Sequence, residues 1–438
     1  MEIKQTMSSL RERYFFKMVE TLFSYLFTIL DPNSDSTVSR LVRRTERLTI
    51  LFQVVRTGLN KSNSANFNAY GYRRFNRMDL IIWSLSLINI VRFTVLIFNP
   101  SDSVSFYLGD PLFRSKDHQI LLIVATAAFI IMITFREWAL AFEAKGKFHI
   151  LTVWSVCRNS FKPNDLQLDK INVKRFRFLV YSISFIVYYF MMFVPLFMAF
   201  IFFTLLLSNS WTYKIPELAF FGILWSISTI FAISILFNSA IGQSWYLICS
   251  LSFHLFRLHH LLDLVNFAVN RSHHVILIDK DIRTFCLITI RRLNDYEVAA
   301  RQLRYLFLCY FFVFSFAGDI YIFLGLIVRV YSEFFANLLA ILGFTILLAI
   351  GVFGFVFGNF ISKLNELTIK LHQLSAKSRL SVPTASKVLE LMDRVAGPYN
   401  GIKIGDFCTL DKSFFIRFIL ENLSALMLFT INIGPLIQ

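Results

Sequence analysis

The sequence predicts an all-α integral membrane protein with seven transmembrane helices. Hydrophobic residues make up 56% of its 438 residues, a share too large for a soluble domain, whose surface must be mostly polar. Seven apolar stretches each have the length needed to cross a hydrocarbon core of about 30 Å. They are residues 80–98, 119–135, 178–207, 218–249, 305–328, 334–358 and 413–436.

The basic residues predict which side of the membrane each connecting segment occupies. Of the 44 Lys and Arg residues, 38 lie in residues 1–79, 136–177, 250–304 and 361–412, and the intervening connections hold four. Cytoplasmic flanks of membrane spans collect Lys and Arg. We therefore expect the N-terminus in the cytoplasm and the C-terminus outside. This topology accounts for the net charge of +16, so no nucleic-acid partner is expected.

Residues 1–79 predict a cytoplasmic N-terminal region. Within it, residues 14–30 are apolar but are interrupted by Lys17 and Glu20. This pattern is typical of an amphipathic helix that lies on the inner face of a membrane. A second short helix is expected near residues 38–57.

Residues 80–358 predict a six-helix transmembrane bundle with cytoplasmic extensions. The stretches 178–207 and 218–249 are longer than a crossing requires, so their helices must tilt or project beyond the bilayer. We expect them to project into the cytoplasm. Helical periodicity continues through residues 250–269 and leads into the fifth span through residues 284–304.

Residues 359–412 predict stalk helices in the cytoplasm. Apolar residues repeat at three- and four-residue steps in two stripes, which residues 381–383 separate. The stripes need apolar partners, and we expect a second subunit to supply them, unless the two stripes pack only on each other. They consist of Leu364, Leu367, Leu371 and Leu374, and of Val388, Leu391 and Val395.

Residues 413–438 predict a terminal span whose polar side chains line a pore. Charged groups within a bilayer are costly and usually face protein or water. In an oligomer, Glu421 would form a ring that attracts cations. The alternative is an ion pair between Arg417 and Glu421, which are four residues apart. The candidate pore-lining residues are Arg417, Glu421, Ser424, Leu428 and Asn432.

The fifth span also carries polar side chains. Asp319 lies near its middle, with Tyr310 and Tyr321 around it. An intramembrane carboxylate is typical of a functional site, so these three residues are candidates for a ligand pocket. The alternative is that a neighbouring helix satisfies Asp319.

The sequence does not predict an enzyme. His254, His259 and His260 resemble one histidine box of a membrane di-iron enzyme, but the third box that such a site needs is missing. No Ser/His/Asp grouping or glycine-rich phosphate loop occurs. We expect no catalytic residues, no metal site and no cofactor.

The most specific local pattern leads into the terminal span, in residues 397–415. It resembles the C-terminal signature of the insect gustatory receptor family, and the matching residues are Phe407, Leu410, Asp411, Lys412 and Ser413. The family's later Thr-Tyr pair and Gln-Phe pair are absent, because Ser424-Ala425 and Ile431-Asn432 occupy those places. The chain therefore resembles a divergent relative of this family.

The resemblance implies a chemosensory, taste-type receptor of the plasma membrane that works as a ligand-gated, nonselective cation channel. Besides the lipid bilayer, it implies an external small-molecule ligand and related subunits that form a homo- or hetero-tetramer. The seventh helix would line the pore, and the ligand pocket would open outward among spans two to six. Two alternatives stay open: a non-conducting scaffold of the same fold, and a metabotropic seven-span receptor or transporter.

Overall fold

The structure, a computed structural model, is almost entirely helical. It describes residues 35–55, 77–98, 101–115, 117–144, 157, 161–271, 279–377, 380–397 and 401–432. In chain order the helices are α1 (Asp35–Leu51), α2 (Arg77–Phe98), α3 (Asp102–Tyr107), α4 (His118–Ala144), α5 (Pro163–Leu166), α6 (Lys170–Ser208), α7 (Pro216–Arg271), α8 (Asp279–Ile322), α9 (Glu333–Lys377), α10 (Val382–Ala396) and α11 (Phe414–Asn432). A 3₁₀ turn, Ser210–Tyr213, precedes α7, and a π-helical turn, Phe323–Val328, extends α8.

Seven of these helices are long and apolar enough to cross a membrane: α2, α4, α6, α7, α8, α9 and α11. The prediction of an all-α, multi-pass membrane protein is therefore confirmed by helix length and hydropathy, with seven candidate spans. Several helices run well past the predicted stretches. The longest, α7, has 56 residues and a length of about 84 Å at 1.5 Å per residue, so it extends far beyond any bilayer.

The two ends of the bundle differ in shape. At one end the spans are joined by short connections, which include residues 101–117, 209–215 and 329–332; we call this end the short-loop side. At the other end α6, α7, α8 and α9 continue as long helices, and we call it the stalk side. The charge pattern assigns the stalk side to the cytoplasm, and this assignment stays a prediction.

The stalk helices pack on one another within a single chain. Both predicted stripes are fully buried, with exposed fractions of 0–3%. They meet where α10 folds back against α8 and α9, and Arg394 of α10 donates to Glu297 of α8 at 2.9 Å. The expectation that a second subunit covers these stripes is therefore wrong, because α8, α9 and α10 bury them within one chain. The predicted boundary between bundle and stalk at residue 358 falls inside α9, which continues without a break.

The first described helix, α1, confirms the short helix expected near residues 38–57, although it begins and ends earlier. It packs along the stalk-side part of α6 and touches α7. The amphipathic helix predicted for residues 14–30 lies outside the described residues.

A buried arginine anchors the spans at each end of the bundle. On the short-loop side, Arg92 of α2 donates to the carbonyl oxygens of Leu108 and Gly109, both at 2.7 Å. On the stalk side, Arg136 of α4 contacts Asp79 of α2 through Nη2 and Oδ1 at 2.6 Å. The predicted second span ended at residue 135, but α4 continues through Arg136, whose buried charge is paired with that of Asp79.

A two-stranded antiparallel hairpin connects the stalk to the last span. Strand β1 is Lys403–Ile404 and strand β2 is Cys408–Thr409, with Lys403 opposite Thr409. At its turn Gly405 adopts φ +57°, a conformation that favours glycine. The hairpin docks on α8, where the amide of Gly405 donates to the carbonyl of Arg304 at 2.8 Å. It was not predicted, because two-residue strands carry no periodicity that a sequence can reveal.

Candidate functional site

The residues of the family-like motif build the entrance to α11. Leu410 is fully buried, and its amide donates to the carbonyl of Ile402 at 2.8 Å. Phe407, at the hairpin tip, is 85% exposed. Lys412 and Ser413 are exposed at the start of α11. The motif therefore serves first to hold the polypeptide at the point where it enters the terminal span.

Asp411 is the polar centre of this entrance. Its carboxylate accepts hydrogen bonds from Ser413 at 2.9 Å and from Arg417 at 2.6 Å. Burial opposes its ionisation, yet these hydrogen bonds and the charge of Arg417 hold the pKa of Asp411 below its ordinary value. The main chain of Asp411 lies against Gly358 of α9, where a Cβ atom would come within 2.4 Å of the Asp411 carbonyl oxygen. Only glycine at position 358 permits this approach.

The contact of Arg417 decides one of the alternatives raised by the sequence. Its guanidinium pairs with Asp411 and not with Glu421. The alternative of an Arg417–Glu421 ion pair is therefore wrong. The Glu421 side chain is exposed, and it forms no ion pair with any side chain in the described part of the chain.

One face of α11 packs against α8 and α9. Phe414 and Phe418 are buried against Phe311 of α8, with ring centroids 5.1 and 6.4 Å away. Further along, Asn422 is buried and accepts a hydrogen bond from Ser315 of α8 at 2.6 Å. This face fixes the rotation of α11 about its own axis.

The five candidate pore-lining residues lie outside the packed face. Because α11 turns 100° per residue, Arg417, Glu421, Ser424, Leu428 and Asn432 fall within an arc of about 80°, and all five are exposed. Within the apolar window of α11 only 17% of residues are buried, against 22–39% in the other six spans. The terminal span therefore leaves a polar stripe without a covering helix from the described part of its own chain.

Two apolar cavities lie between the spans. The first has a volume of about 260 Å³, and the second of about 230 Å³. Phe314 of α8 and Ile346 of α9 line both. The second cavity lies nearer the short-loop side. Its wall includes a part of α4 that starts five residues after His118, and His118 is the first residue of α4 on that side. The first is lined by Ser244, Leu247, Ile248, Phe307, Tyr310, Phe311, Phe314, Ile346, Ala349, Ile350 and Phe353.

The structure separates the three candidate pocket residues. Tyr310 lines the first cavity with its ring, while its hydroxyl donates to the carbonyl of Ala240 at 2.9 Å. Tyr321 lines the second cavity. Asp319 is buried but belongs to the wall of neither cavity, and its Oδ1 atom has no hydrogen-bond partner among the described residues. The three residues therefore do not form one site.

The chemistry of the cavities fits a small apolar molecule. Aromatic and aliphatic side chains form nearly all of both walls, and Ser244 is the polar side chain that joins Tyr310 in the first. An apolar cavity of about 150 Å³ is large enough to hold benzene, so each of these can hold one compact ligand. Phe314 and Ile346 could not be identified from the sequence, because a single Phe or Ile in an apolar span carries no signal that separates a cavity wall from a lipid-facing surface.

No protein-family model matches the sequence, and no curated protein matches it at a significant level. The resemblance to the gustatory receptor family therefore depends on the motif of residues 397–415 and on the arrangement of the spans. Membership of that family stays an expectation.

Proposed function

We propose that this protein is a subunit of a ligand-gated cation channel in the plasma membrane, with α11 lining the pore. The observation that carries the proposal is the exposed polar stripe of α11, centred on Glu421 and Ser424. A carboxylate that faces lipid costs a few kcal/mol on insertion scales. An assembly of several copies around a water-filled axis places the same stripe in water and surrounds the axis with carboxylates, which attract cations.

The resemblance of the terminal motif to gustatory receptors implies a tetramer of identical or related subunits. The apolar residues that flank the polar stripe on α11 are also exposed, and they offer surface for contact with lipid or with a neighbouring subunit. They are Ile416, Leu420, Leu423, Met427 and Ile431, each at least 50% exposed. The surface that favours assembly lies on α11, because the stalk stripes are buried within one chain.

The ligand class that we propose is a small, neutral, largely apolar molecule. Both cavities are apolar, and the second lies toward the side that the charge pattern assigns to the exterior. Phe311 lines the first cavity and also contacts Phe414 and Phe418 of α11. A ligand that displaces Phe311 therefore acts on the pore helix through one shared side chain.

The test is Glu421→Gln, a change that removes a charge and keeps the size of the side chain. Cells that express the full chain are recorded by patch clamp while a panel of small neutral aromatic compounds is applied. We expect an evoked cation current whose cation-over-chloride permeability ratio falls several-fold in the variant, because the ring of carboxylates is lost. Glu366→Gln is the matched control, since Glu366 pairs with Lys363 on the stalk and lies far from the proposed pore.

Three results contradict the proposal. An unchanged permeability ratio in Glu421→Gln would show that α11 does not line the pore. Protein that reaches the cell surface but passes no current with any compound would favour the non-conducting scaffold, and substrate uptake without current would favour a transporter.

A further inference from the structure

Four arginines cover the outward face of α1. They are spaced three, one and three residues apart, so their side chains fall within an arc of about 100° around the helix. They are Arg40, Arg43, Arg44 and Arg47. All four are exposed. No carboxylate of the described residues pairs with any of them. They line an open groove of about 620 Å³ together with Ser36, Ser39 and Asp35.

The opposite face of α1 is fixed by packing, which holds the arginines outward. Val38 and Val42 are fully buried. The hydroxyl of Thr49 lies 2.9 Å from that of Tyr246 in α7. The carboxylate of Asp35, which lines the groove, is already paired with Arg177 of α6 at 2.7 Å. The groove therefore has a net positive charge that cannot be removed by rotation of α1.

Helix length places the C-terminal end of α1 at the depth of lipid headgroups, with Pro216 taken as the edge of the bilayer on the short-loop side. Tyr246 is 30 residues from Pro216, the first residue of α7 on the short-loop side, which corresponds to about 45 Å along the helix. A bilayer with its headgroup layers is about 40–45 Å thick. Thr49, bonded to Tyr246, thus reaches the headgroup layer of the leaflet on the stalk side. Ile50 and Leu51, 37% and 57% exposed, follow at the end that points toward the hydrocarbon.

We propose that the arginine face of α1 binds the phosphorylated headgroup of a polyphosphoinositide lipid in the leaflet on the stalk side. Guanidinium groups bind phosphate oxygens through two parallel hydrogen bonds. Four guanidinium groups in one groove suit a headgroup with several phosphates better than the headgroup of phosphatidylserine, which carries a single net charge. The exposed apolar side chains at the end of α1 give the same helix a contact with acyl chains. Binding of this lipid does not depend on whether the protein conducts ions.

The test measures binding of dioctanoyl phosphatidylinositol bisphosphate to the purified full chain in detergent. The variant carries Arg40→Gln, Arg43→Gln, Arg44→Gln and Arg47→Gln together. The control removes four exposed basic side chains elsewhere, with Lys162→Gln, Lys280→Gln, Arg283→Gln and Arg291→Gln. We expect the dissociation constant to rise by about tenfold or more in the α1 variant, because each basic side chain near a lipid surface contributes to binding. In the control it should change by less than about twofold.

Several outcomes overturn the proposal: wild-type protein that does not bind the lipid, an α1 variant that binds it as tightly as wild type, or equal weakening in variant and control. Soluble inositol trisphosphate that binds as tightly as the lipid would reassign the groove to a free polyanion. Size-exclusion chromatography and thermal unfolding verify that each variant is folded. If the glutamine variant aggregates, the four Arg→Lys changes replace it; loss of the paired donors should then weaken binding by about threefold, and unchanged binding would contradict the proposal.

Discussion

Arg92 shows how a single buried charge can hold the short-loop side together. Only 3% of its surface is exposed, yet every nitrogen of its guanidinium has an acceptor. Two acceptors are carbonyl oxygens of the connection after α3, and the third is the hydroxyl of Thr229 in α7, at 3.0 Å. The side chain thus ties α2, its following connection and α7 to one another.

Replacing Arg92 by leucine should destabilise the protein. The change leaves the carbonyls of Leu108 and Gly109 without their donor, and buried polar groups that lose a partner cost about 1–3 kcal/mol each. We expect a loss of about 2–4 kcal/mol, seen as a lower midpoint of thermal unfolding in detergent. Arg114→Gln is the control, because the pair of Arg114 with Asp102 is about half exposed and such pairs contribute less than about 1 kcal/mol. Equal shifts in both variants would contradict this role of Arg92.

Individual positions were predictable where the membrane itself imposes the constraint. The burial of Arg92 follows from its place within an apolar stretch, and the one-sided stripe of α11 follows from the spacing of Arg417, Glu421 and Ser424. Contacts between helices could not be predicted from the sequence, because they depend on the rotation of each helix about its axis. Asp319 is therefore buried as expected but away from both cavities, and Arg417 turns to Asp411, which lies before the helix.

At the scale of elements, α9 and α10 form the main part of the stalk. The leucine stripe of α9 is covered by the valine and leucine stripe of α10, and Tyr296 of α8 stacks on Phe360 of α9 with ring centroids 4.1 Å apart. Burial of these apolar faces against each other holds the long helices together beyond the membrane.

Leu371→Ala should therefore destabilise the stalk more than a change two residues away. Leu371 is fully buried, and a buried Leu→Ala change costs about 2–5 kcal/mol. Ile369 on the same helix is 57% exposed, so Ile369→Ala should change stability by less than about 1 kcal/mol. Limited proteolysis and thermal unfolding measure the difference. Similar effects of the two changes would show that the stripe is not packed as described.

The sequence predicted every long helix and missed the hairpin. Apolar stretches and three- and four-residue periodicity are long-range signals, so the extension of α7 through residues 250–269 and the helices on either side of residues 381–383 were predictable. The hairpin at residues 403–409 forms because Gly405 permits the turn and because a carbonyl of α8 accepts a hydrogen bond from the amide of Gly405. The first is a local effect and the second a tertiary one, so neither produces a long-range pattern in the sequence. Helix ends differ by several residues for the same reason, since tertiary contacts such as Asp79–Arg136 extend them.

At the scale of the whole molecule, the asymmetry of the two ends connects both proposals. The short-loop side carries few basic residues, and the stalk side carries most of them, including the arginine face of α1. Access of a ligand to the second cavity and contact of α1 with an inner-leaflet lipid both require the stalk in the cytoplasm. With an odd number of spans, the two termini must then lie on opposite sides of the membrane.

The measurement that tests this arrangement most directly is antibody access to epitope tags in intact and permeabilised cells. One tag is fused before Met1 and the other after Gln438. We expect the C-terminal tag to be labelled on intact cells and the N-terminal tag only after permeabilisation, because basic segments remain in the cytoplasm. A C-terminal tag that is labelled only after permeabilisation would contradict the seven-span orientation, and with it the placement of α11 as a pore helix reached from outside.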